Sequence, residues 1–124
     1  MANIRKWLED AEKTTGETIE AIVVGQHDAR ESRFQANDKP LPDENIILSR
    51  EDGLKKLDQD YDNGYGGADC FPIWAWTANR IYFISEYDGS TRMNYVPRNP
   101  IAGEPDFGGN DGVWEDILTK LANR

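Results

Sequence analysis

Three runs rich in β-branched and aromatic residues, Pro72 to Thr77, Arg80 to Tyr87 and Thr91 to Val96, are separated only by Ala78-Asn79 and Asp88-Gly89. A two-residue Asp-Gly spacer suits a turn with positive φ at both central positions, so the second and third runs are predicted to form a tight hairpin. The three together read as an antiparallel meander. With Asp88-Gly89 as the loop, Tyr82 faces Tyr95 and Ile84 faces Met93 on one side of the sheet, while Ile81 faces Val96 on the other. Trp74 and Trp76 join that second side through the first turn, opposite Phe83 and Ile81. Both faces are then apolar near the middle, whereas a sheet with one wet face alternates between apolar and polar residues. Each face therefore needs a cover, and Trp74 is expected in the core.

The flanking segments supply candidates for that cover. In residues 3–15, Ile4, Trp7, Leu8 and Ala11 recur at helical spacing, Asn3 can cap the start, and Gly16 sits where a left-handed C-terminal cap belongs. Residues 18–26 follow as a strand whose unbroken apolar run, Ala21 to Val24, predicts a central position covered on both sides. Asn45 to Leu48 reads as an edge strand. Ser49 and Asp52 match a capping pattern at the head of a helix over 50–61, which carries Gly53 at a cost of up to ~1 kcal/mol relative to alanine. Two prolines at 97 and 100 end the meander. In residues 112–123, Val113, Trp114, Ile117, Leu118 and Leu121 form the best amphipathic stripe in the chain. The fold class expected is α+β: an antiparallel sheet of four to five strands (meander 72–96 plus strand 18–26) packed with about three helices (3–15, 50–61 and 112–123), in a single domain spanning 1–124.

Composition narrows the function classes. With one cysteine, Cys70, and one histidine, His27, no intrachain disulfide forms and the thiolate and imidazole cluster that zinc favours is not available. No window approaches the 18 apolar residues of a membrane span, and the N-terminus lacks a signal-peptide core, so a cytoplasmic protein with no membrane association is expected. Net charge is −9, concentrated in two acidic segments, Asp43 to Asp69 and Asn99 to Leu118. A field of that sign repels nucleic acid and attracts basic surfaces.

The densest acidic stretch runs from Asp58 to Asp69. Counting Asp58 as one, carboxylates fall at positions 1, 3, 5 and 12, the alternation with which hard oxygen ligands wrap a cation as a chain turns. Over these twelve residues alone the loop resembles the Asp-x-Asp-x-Asp-Gly class of calcium-binding loops. That resemblance implies a Ca²⁺ ligand set of Asp58, Asp60, Asp62, Gly64 and Asp69. The loop departs from the class at Asn63, where glycine is usual, at Asp69, where a longer glutamate is usual, and in the strand that follows in place of a second helix.

No Gly-x-Ser-x-Gly, His-Glu-x-x-His or Lys-Ser/Thr phosphate loop is present. The sequence reading is therefore a small, acidic, non-catalytic binding protein that docks on a basic surface of a protein partner, as immunity proteins and phage counter-defence inhibitors do. Asp58, Asp60, Asp62, Trp76, Glu104 and Asp106 are the candidate contact residues. A calcium-binding module built on loop 58–69 is the alternative, with Ca²⁺ as the sole cofactor considered. A carboxylate-dependent hydrolase using Asp60 or Glu86 is a third reading. An uncovered sheet face would equally suit a homodimer.

Overall fold

The computed structural model describes residues 2–26, 42–61, 70–87 and 90–103. In chain order the elements are β1 (Ala2–Asn3), α1 (Ile4–Thr15), β2 (Ala21–Val24), β3 (Ile47–Leu48), α2 (Arg50–Lys56), β4 (Asp60–Tyr61), β5 (Ile73–Trp76), β6 (Arg80–Tyr87) and β7 (Ser90–Pro97). The architecture is α+β: an antiparallel five-stranded sheet in the order β3-β2-β5-β6-β7, beside a two-stranded ribbon of β1 and β4.

The meander register is the predicted one. Tyr82 pairs with Tyr95, Ile84 with Met93 and Ile81 with Val96, and the ladder runs to Tyr87–Ser90. Trp74 lies opposite Phe83 and Trp76 opposite Ile81. Strand β2 joins alongside β5 and takes β3 as the edge beyond it.

Helix α1 begins where its cap predicts: the Asn3 side chain accepts the Lys6 N–H at 3.1 Å, and Gly16, at φ 74°, accepts the left-handed turn that closes the helix. Helix α2 is capped by the Ser49 hydroxyl, which accepts the Asp52 N–H at 3.1 Å. It is shorter than the 50–61 predicted. The helix stops at Lys56 because Asp60 and Tyr61 are drawn into a strand against Asn3 and Ala2, which holds them extended. Two helices stand among the described residues rather than three, since 112–123 lies outside them.

Both helices pack on the same face of the sheet. Ile4 and Leu8 of α1, and Leu54 and Leu57 at α2, are buried with Ile22, Val24, Ile73, Ala75 and Tyr82. Those sheet residues all belong to one side of the register, here called the inner face. Val23, Trp74, Phe83, Trp76, Ile81 and Val96 lie on the other, the outer face. Two expectations are thereby corrected. Strand β2 is central but only Ile22 and Val24 are buried, and Trp74, with 58% of its surface exposed, is outside the core.

Candidate functional site: an acidic corner and an aromatic face

The chain leaves α2 through Leu57 and enters β4, whose register sets Asn3 opposite Asp60. Asn3 thus serves two elements. Its Oδ1 caps α1 while its Nδ2 donates to Asp60 Oδ1 at 2.9 Å and to Asp58 Oδ1 at 3.3 Å. Two exposed carboxylates are held side by side by one neutral amide, and among the described residues only Arg5, 3.5 Å from Asp58 Oδ2 and shared with Glu9, offsets their charge.

Most arginines of the described chain are engaged with its own acids. Arg50 grips Glu12 with two N–H groups, at 2.7 and 2.9 Å, and Glu12 also accepts the Ile19 N–H. That guanidinium holds the Glu12 carboxyl below the ordinary carboxylate value despite its partial burial. Arg80 pairs with Glu17, which also accepts from the Thr77 hydroxyl at 2.6 Å and the Asn79 N–H at 3.0 Å. Burial pushes the Glu17 carboxyl up, but these hydrogen bonds and the Arg80 charge outweigh it and leave it below its ordinary value. Arg98 pairs with Glu20 and donates to the Thr77 carbonyl; Lys56 reaches Asp43 at 2.9 Å. Lys6, Lys13 and Lys55 stay exposed or at the surface, while Asp10, Asp52 and Asp60 meet no basic side chain among the described residues.

The aromatic residues lie elsewhere. Trp74 and Trp76 stand edge to face on the outer face, ring centroids 6.4 Å apart, flanked by exposed Ile47 and Val96. The acidic corner belongs to the opposite layer: Tyr61, next to Asp60, is buried against Trp7 and its hydroxyl meets that of Thr91 at 2.8 Å. The structure therefore brings Asp58 and Asp60 together but sets Trp76 on the other side of the sheet. Asp62, Gly64, Asp69, Glu104 and Asp106 lie outside the described residues.

Among the described residues no three His, Cys, Asp or Glu side chains converge as a metal cluster would require. The sequence reading missed the part Asn3 plays beyond its cap and the part of Arg5. The signal for Asn3 was its spare amide, but the pairing that aims it comes from a residue far along the chain. No helix among the described residues is long and apolar enough to cross a membrane. No protein-family model matches the chain, and no curated protein or solved structure does.

Proposed function

We propose that this chain is a non-catalytic binding protein that docks on a basic surface of a protein partner, of the inhibitor type represented by immunity and phage counter-defence proteins. One observation carries the reading. Asp58 and Asp60 are fixed next to each other on an exposed corner, while Arg5, Arg50, Lys56, Arg80 and Arg98 are each turned toward a carboxylate of the same chain. Fixed exposed acids facing a partner's lysines and arginines accelerate association and select against acidic competitors. In the alternative calcium reading an ion on Asp58 would compete with the Arg5 guanidinium, 3.5 Å from Asp58 Oδ2, whereas docking uses the corner as it stands. As for the hydrolase reading, Asp60 has an amide and a second carboxylate for neighbours at an open corner, and general acid–base work calls for a group aimed at a bound substrate.

The test is affinity capture on the immobilised full chain from cytosolic extract, at low and high salt, beside the variant Asp58→Asn/Asp60→Asn. Amides keep the acceptor oxygens and so preserve the Asn3 contacts. The expected result is a basic partner retained at low salt, released by salt, and bound at least tenfold more weakly by the variant. Equal retention by both proteins would sink the reading.

A further inference from the structure

The outer face of the sheet is apolar across β2, β5, β6 and β7, and both described helices lie on the inner face. Trp74 sits on β5, the middle strand of the five, and is 58% exposed, with Trp76 edge to face beside it. Ile47 on β3 and Val96 on β7 carry the exposed apolar surface to either side. The face is as distinctive in charge as in apolarity. Of the residues that the ladders place on it, from Ala21 on β2 to Val96 on β7, none is an aspartate or glutamate, in a chain that has 23 of them, and Arg92 is the sole charged one.

We propose that two copies of this chain meet through the outer face, sheet on sheet about a two-fold axis that passes near Trp74. Charge selects the occupant. A basic partner finds no carboxylate here, and an acidic one meets the repulsion of a chain at −9 with Arg92 alone to offset it. A second copy presents the same acid-free apolar surface, and a two-fold interface requires that each patch match itself. Interface cores are depleted of charge and enriched in tryptophan, as the centre of this face is. Area sets the strength. The strands hold 2, 4, 4, 8 and 8 residues, so at ~3.4 Å per residue and ~4.8 Å between strands the face measures about 420 Å² in projection. Two copies bury about 850 Å², to which the relief of the side chains adds, and interfaces below ~1,200 Å² belong to transient complexes. The dimer is therefore a weak one, formed at micromolar concentration. The inference is independent of the docking reading, because the acidic corner belongs to the opposite layer of each copy and stays open in the pair.

The experiment is sedimentation velocity of the full chain over a wide micromolar range, at low and high salt. The expected mass climbs from the 14.1 kDa of one chain toward twice that value as concentration rises. The climb comes earlier at high salt, because screening removes the repulsion between two acidic chains while apolar burial is retained. Trp74→Glu, at an exposed position that the fold does not depend on, should weaken association at least tenfold. Ile47→Glu, nearer the rim, should act in the same direction with a smaller loss, and Asp58→Asn/Asp60→Asn should leave the dimer intact. A single-chain mass throughout would leave the face to a foreign protein or to the chain itself and overturn the proposal. Equal association by the wild type and Trp74→Glu would place the contact elsewhere and overturn it too. So would a dimer that salt dissociates, since that is the signature of paired charges.

Discussion

A Cβ added to Gly53 would lie 2.7 Å from both Cβ and Cδ1 of Ile22, so α2 and β2 meet with no room for a methyl group. Ile22 is fully buried on β2, flanked by Leu48 of β3 and Ala75 of β5, and has nowhere to retreat. The glycine that weakens α2 as a helix is what lets it approach the sheet. On helix propensity alone, Gly53→Ala should gain about 1 kcal/mol. Overpacking of a filled core costs about 1–3 kcal/mol, and with the clash at Cβ rather than at the end of a side chain the upper part of that range applies. The expected outcome is a net loss of about 1–2 kcal/mol in urea unfolding. A stabilised variant would show that α2 does not sit so close.

Arg80 is almost wholly buried and its charge is met by Glu17, whose other contacts come from Thr77 and Asn79. Removing one partner leaves the other's charge uncompensated, at about 3–5 kcal/mol, whereas replacing both by apolar groups is often close to neutral. Glu17→Ala should therefore destabilise by several kcal/mol, and Glu17→Leu/Arg80→Met by much less than the sum of the single changes. Additive effects in this cycle would mean the pair is not coupled.

The acid side of the stability curve follows from the same groups. Glu12 and Glu17 both have folded-state values held below the ordinary glutamate value of 4.5. A depressed carboxyl contributes stability above its unfolded value, and the contribution is lost as pH falls through the folded one. Unfolding by denaturant should show stability level near neutrality and falling as pH drops below about 4.5. The Glu12→Gln variant should show a shallower decline; an unchanged slope would remove Arg50–Glu12 from the account.

How much of this was legible in the sequence differs between elements for physical reasons. The register of β5, β6 and β7 was readable because a two-residue hairpin leaves one alignment and each side chain then has a fixed face. Helix α1 was readable because Asn3 and Gly16 mark its ends locally. The end of α2 was not, since Leu57 and Tyr61 continue the helical spacing and only the distant pairing of Asp60 with Asn3 pulls them extended. The two-residue strands β1 and β4 have no periodicity to read. At the site, Asp58 and Asp60 stand together because Asn3 contacts both, whereas Trp76 was joined to them by function and not by geometry: register assigns a side chain to a face and does not say where a distant loop lies.

Divalent cations offer a separate check on the acidic corner. If Asp58 and Asp60 remain with Asn3 and Arg5, millimolar Ca²⁺ should raise Tm no more than the same concentration of Mg²⁺, through general screening alone. A specific ion at ~100 times its dissociation constant would add ~2.7 kcal/mol, a shift of several degrees in a domain of this size. Such a rise with Ca²⁺ alone, abolished in Asp60→Asn, would favour the calcium reading over the docking one.

Tyr61 ties the small ribbon to the sheet through its hydroxyl contact with Thr91, and burial pushes its own ionisation up to about 12 from an ordinary 10.0. The neutral phenol is the form the fold accepts. Because the folded value is the higher one, the stability linked to this group is fully present below pH 10 and is lost as pH rises toward 12. Tyr61→Phe removes the titration together with the hydroxyl contact to Thr91, so it should lower stability by about 0.5–1.5 kcal/mol near neutrality. The same variant should flatten the alkaline decline seen by denaturant unfolding between pH 10 and about 12. A variant with the neutral-pH loss and an unflattened alkaline decline would show that another buried group governs the high-pH limit.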